Sequence, residues 1–93
     1  MVVAIVTWEL HLNGCQSLKD KRRILKSLKD RLHQRFNVSV AETDHHELWQ
    51  RAELTCGVVA RDRKQASAVL SAADGLVASN GFIRIIDSAT SFL

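Results

Sequence analysis

The sequence predicts an α+β domain with one layer of helix on one layer of sheet. Three observations lead there. Residues 2–12 alternate apolar and mixed positions, as a half-buried strand does. Residues 18–36 place Leu18, Ile24, Leu25, Leu28, Leu32 and Phe36 on one arc at helical spacing. Two further strand-like runs and a second amphipathic helix follow, so the elements read β-α-β-β-α-β.

In the first strand Val2, Ala4, Val6, Trp8, Leu10 and Leu12 share one face. Val3, Ile5, Thr7, Glu9 and His11 share the other. Asn13-Gly14 breaks it. Ser17 is placed to cap the first helix, with Asp20 three residues on, an acid near the positive helix end. Residues 37–43 read as a second strand and Asp44-His45-His46-Glu47 as a turn. Residues 48–61 read as a long third strand, with Leu48, Ala52, Leu54, Cys56, Val58 and Ala60 on one face. Asp62 caps a second helix over 63–80 that turns Ala66, Val69, Leu70, Ala73 and Val77 inward, and Asn80-Gly81 closes it. Residues 82–87 form a fourth strand. The tail SATSFL is left unassigned, with a short additional strand as the open option.

Two right-handed crossovers in this order give the ferredoxin-like βαββαβ arrangement: a four-stranded antiparallel sheet with both helices on one face. Strands one and three are expected at the centre. The 93 residues suffice for one such domain, 1–93, and one modest core. An apolar fraction of 46% with 25% charged residues argues against disorder. No apolar run is long enough to span a membrane. The chain opens directly into a strand pattern, so no signal peptide is expected. Two cysteines far apart fit a cytoplasmic protein better than a disulfide framework.

Charge is distributed unevenly. Residues 17–36 hold eight Lys/Arg and two Asp, a net +6, on a body whose remaining charges total −3. Lys19, Arg22, Arg23 and Lys26 share the exposed side of the first helix, with Lys29 and Arg31 flanking. Few acids interleave at i,i+4, so an ion-pair-laced solvated helix describes the segment poorly. Phosphates are gripped by cations that reach one surface together. Lys21 falls in the apolar arc, and its ammonium is expected to snorkel past the core edge.

The blocks SLKDKRRILKSLKDRL, FNVSVAE and DHHELWQRAEL resemble the small bacterial YlxP-like family, a domain of unknown function. The resemblance covers nearly the whole chain. It implies a ferredoxin-like fold, a cytoplasmic bacterial protein and, through the genes that neighbour its members, a connection to RNA or the ribosome. It implies no catalytic residue.

Four other features bear on function. RNA-recognition motifs share this topology and stack bases on sheet aromatics. Here the outward positions of the central strands offer only Trp49, which is expected to be partly buried. Val3, Ile5, Val59, Phe82 and Ile86 are expected on the open sheet face, where a homodimer through face or edge would cover them. The 44–47 turn has four adjacent metal-ligand types, but metal sites use spaced pairs, so no metal or cofactor is expected. Acylphosphatases place a phosphate-cradling loop after strand one. The loop here, NGCQS, has one glycine and no arginine, so no enzyme is expected, although Cys15 at a basic helix start should have a lowered pKa. The sequence thus points to a binding module for RNA or a ribosomal component. Its contact residues are Lys19, Lys21, Arg22, Arg23 and Lys26, with Arg51 as an addition. The alternative is a homodimeric module whose basic helix docks an acidic protein.

Overall fold

A computed structural model describes all 93 residues. Its elements are β1 (Val2–Leu12), α1 (Leu18–Arg35), β2 (Ser39–Asp44), β3 (Arg51–Ala60), α2 (Arg63–Ala78) and β4 (Ile83–Phe92). The sheet order is β2-β3-β1-β4, and every pairing is antiparallel. The central pair is β1 and β3, as the sequence predicts.

The alternation in β1 becomes burial. Ala4, Val6, Trp8, Leu10 and Leu12 are buried, and Ala52, Leu54, Cys56, Val58 and Ala60 of β3 lie beside them. Leu25, Leu28 and Leu32 of α1 and Ala66, Leu70, Ala73, Leu76 and Val77 of α2 complete the core. A Leu→Ala change at such a site costs about 2–5 kcal/mol, so these leucines outweigh any surface ion pair in holding the layers together. Trp8 is the largest buried side chain. Its indole N–H donates to Asp74 Oδ1 of α2 at 2.9 Å, so the buried indole keeps a hydrogen-bond partner.

Both helix starts follow the sequence. Ser17 Oγ accepts from Asp20 N at 3.1 Å, and Asp62 Oδ1 accepts from Gln65 N at 2.8 Å. Each such cap stabilises its helix by about 1 kcal/mol. The end of α2 differs: Ser79, not an αL glycine, is the C-cap. The loop glycine with left-handed backbone is Gly14, at φ 75°.

Three strand boundaries differ from the sequence reading. The SATSFL tail is not a separate piece: β4 runs on to Phe92, pairing from Leu12↔Ile83 to Ala4↔Phe92. Its apolar alternation fades because it is an edge strand, with Ser88, Ala89, Thr90 and Ser91 all exposed. A bulge at Ile86 shifts the register between Glu9 and Leu10. At the far end, Arg63 of α2 lies 4.2 Å from the Phe92 ring centroid and helps hold the strand end. The third strand starts at Arg51 rather than residue 48, and Leu48 and Trp49 are 49% and 51% exposed. Trp49, expected to be partly buried, is thus about half covered. The second strand starts at Ser39 and ends at Asp44.

Candidate nucleic-acid interface

The apolar arc of α1 faces the sheet, so the helix turns its back to solvent. Lys19, Arg22, Arg23 and Lys26 are all exposed there. Spacings of three and four residues make them neighbours on the helix surface. Lys26 is partly neutralised: its ammonium lies 2.8 Å from Asp30 Oδ2, an i,i+4 pair. Their mutual hydrogen bond raises the Lys26 pKa and lowers that of Asp30. Lys19, Arg22 and Arg23 make no ion pair.

Lys21 corrects the sequence expectation. It does not snorkel to solvent and cannot meet a phosphate, because it is 2% exposed. Its Nζ donates to the His45 carbonyl at 2.6 Å and to the Leu48 carbonyl at 2.8 Å. It also lies 2.8 Å from Glu42 Oε2. Two of the ammonium's N–H bonds go to these carbonyls, and the Glu42 carboxylate is its counterion. Glu42 reaches it because Glu42 opposes Leu54 in register and shares that residue's helix-facing side of the sheet. Lys21 thus ties α1 to β2 and to the 45–48 turn, where His45 adopts a left-handed φ of 62°. Hydrogen bonds to both ends of that turn curl the chain before β3 can begin.

Arg51 is also displaced from the expected site. It stands on the open sheet face, opposite His11 in register, on the far side of the sheet from α1. Its Nη2 binds Glu9 Oε2 at 2.5 Å, while His45 Nε2 lies 2.7 Å from Glu9 Oε1. Glu9 pairs with Glu53 on one side and Asp87 on the other, so that row of the face is acidic. A phosphate held by α1 does not reach Arg51.

The hydrogen bond from Arg51, more than the one from His45, holds the Glu9 carboxyl below its ordinary value despite the opposing effect of burial. Glu9 therefore stabilises the fold above its unfolded-state pKa, and that contribution is lost as pH falls through the lower folded value. Glu9→Gln should accordingly lose less stability than wild type between roughly pH 6 and pH 3. Urea midpoints across that range check it, and parallel curves for the two proteins would refute it.

The 44–47 turn does not gather its side chains. His45 turns to Glu9, His46 Nε2 lies 3.1 Å from the Glu42 carbonyl, and Asp44 Oδ1 accepts from His45 N.

Cys15 also departs from expectation. It is buried, and its pKa is raised, first by desolvation and then by Asp20, against the opposing effect of Lys21. Cys56, deeper in the core, is pushed up to about 11 by desolvation. Thiolate is the reactive form. Both thiols should therefore resist a disulfide reagent near neutral pH in the folded protein and react only on unfolding. Timed thiol titration with and without denaturant measures this.

A recess of about 440 Å³ opens beside the basic strip. It lies between α1, the 13–15 loop and the approach to β4, and Arg23, Asp20 and Phe82 line it. Phe82 was expected on the open sheet face. It lies instead at this recess, 62% exposed, because the strand begins one residue later and Asn80 Oδ1 accepts from Phe82 N. The sequence signal for it was available: an aromatic directly after Asn80-Gly81, where a loop presents it.

A family model described as a protein of unknown function, DUF503, matches residues 3–90. The chain belongs to the DUF503 family. One DUF503 relative is an uncharacterized protein, YlxP, of Bacillus subtilis, 39% identical over 49 residues. That match spans 53% of each chain, about half the relative's length. Among solved structures, the DUF503 chain resembles a designed protein with ferredoxin fold at TM-score 0.50 and 12% identity, covering 100% of this chain and 84% of that one. It also resembles a putative chlorite dismutase at TM-score 0.51 and 9% identity, covering 98% of this chain and 43% of that one. At such identities the likeness is one of fold alone. No helix is long and apolar enough to cross a membrane.

Proposed function

We propose that this DUF503 protein is a non-enzymatic, cytoplasmic module that binds RNA, ribosomal RNA in the first instance, along the exposed back of α1. One observation carries the reading. Lys19, Arg22 and Arg23 are exposed together without acidic partners, inside a segment of net +6. Lys26 adds a cation shared with Asp30. Such a strip binds the phosphate backbone with little sequence preference and with steep salt dependence. The buried, raised Cys15 thiol supports the non-enzymatic reading, since it is a poor nucleophile. Titration of labelled RNA with wild-type and charge-reversed protein tests the proposal.

A second reading concerns self-association and is compatible with the first. Half of the open face is neutral: Val3, Ile5, Gly57 and Val59 lie together there, and Val59 is 66% exposed. The outer edge of β4 has no strand partner. A second copy packed on this face or edge would cover both features and leave α1 free. Light scattering on wild type and Val59→Lys reads it: a dimer that the substitution dissociates supports it, and a monomeric wild type removes it. The other account of the basic strip, an acidic protein partner, requires that wild type ignore RNA.

A further inference from the structure

We propose that the recess beside α1 is a subsite for one unpaired guanine of the bound RNA. The inference rests on the RNA-binding reading above and gives it a base preference. Four features support it. The recess, about 440 Å³, falls within the range of small-ligand clefts, roughly 300–1,000 Å³. Phe82 presents an exposed ring at it, and aromatic rings stack nucleobases. Arg23 belongs both to the basic strip and to the recess lining, so a phosphate on the strip and a base in the recess can belong to neighbouring nucleotides.

The fourth feature is the polar set, and it selects the base. Asp20 lines the recess, and its Oδ2 accepts only a long hydrogen bond from Gln16 N, at 3.3 Å. A carboxylate inside the recess repels a phosphate and accepts N–H groups. Guanine presents two adjacent ones, at N1 and N2. Asn13 and Asn80 also line the recess. Their side-chain oxygens are already engaged, Asn13 Oδ1 with His11 Nδ1 and Asn80 Oδ1 with Phe82 N, each at 2.9 Å. Each amide therefore keeps its NH₂ as the spare group, a donor for guanine O6 or N7. Adenine places its amine where guanine has O6 and has no N–H at N1, so it matches neither side of this set. Uracil supplies a single N–H. The basic strip grips the chain, and the recess reads one base.

The test uses the whole protein and two pyrimidine RNA ten-mers, identical except for a central G or a central A. Wild type should bind the G ten-mer roughly five- to hundredfold more tightly, the range of one good bidentate base contact. Asp20→Asn keeps an oxygen able to accept from Gln16 N but loses the acceptor pair, so it should remove that preference while the A ten-mer is bound at least as tightly as by wild type, a repelling charge having gone. Phe82→Ala, at an exposed position, should weaken the G ten-mer about tenfold with the salt dependence unaltered. Equal, salt-sensitive binding of both ten-mers by wild type overturns the guanine subsite and leaves the helix reading standing. A G preference that survives both substitutions also overturns it. If wild type binds neither ten-mer at low salt, both readings fall.

Discussion

Replacing Lys21 with Met is expected to lower stability by about 2–4 kcal/mol and Tm by roughly 10–25 °C. The side chains are similar in length, so little volume is lost. The loss is electrostatic and directional. Without the ammonium, the His45 and Leu48 carbonyls have no donor, and Glu42 keeps a charge at the sheet edge with no counterion. Removing one partner of a buried pair costs about 3–5 kcal/mol. Glu42 is 20% exposed, so water recovers part of that and the lower range applies. Replacing Glu42 with Gln as well should recover a portion, a coupling that a double-mutant cycle measures by urea unfolding. A Lys21→Met protein within 0.5 kcal/mol of wild type would contradict the role assigned to Lys21. The same substitution should leave RNA affinity of the folded protein nearly unchanged, because Lys21 presents no charge to solvent. This separates it from the other basic residues of the segment.

The second large effect is on binding. Reversing Lys19, Arg22, Arg23 and Lys26 to Glu changes the exposed strip by eight charge units and should abolish measurable RNA binding at moderate salt. All four side chains are exposed, so the fold should survive, with far-UV circular dichroism as the control. Single alanine substitutions should act in grades. Each lost phosphate contact flattens the slope of log K against log salt by about 0.7 for a single strand. Arg22→Ala and Arg23→Ala should show that full step. Lys26→Ala should show less, since Asp30 already holds part of its charge.

Much of this architecture was legible in the sequence because burial imposes simple periods. The two-residue period of β1 and the helical arc of α1 name every apolar residue that the structure buries within those two elements. The open and covered faces of β3 follow in the same way. The misreadings lie where tertiary partners override local pattern. Lys21 sits at an apolar angle, and only the fold reveals that Glu42 and two carbonyls from the 45–48 turn wait there. Those same bonds curl residues 45–50 and delay β3. The last five residues of β4, Ser88–Phe92, are left unassigned by the sequence, with a short added strand as an open option, because an edge strand with small polar residues has no apolar alternation to read. Cys15 was expected to be activated by its basic neighbours, but it is buried, and desolvation outweighs Lys21. Arg51 shares a charge sign with the helix but stands on the opposite face, a distinction that composition cannot supply. The recess needed three segments distant in sequence, at residues 13–15, 20–27 and 80–82, to come together.

The central claim is that α1 grips phosphate through its exposed cations. The most direct measurement is the salt dependence of binding to ribosomal RNA for wild type and for the protein with Lys19, Arg22, Arg23 and Lys26 reversed to Glu. With three to four free cations, wild type should give a slope of about −2 to −3 in log K against log salt, on the single-strand scale. The reversed protein, still folded, should show no binding. A flat wild-type slope, or equal RNA affinity for the two proteins, would contradict the account.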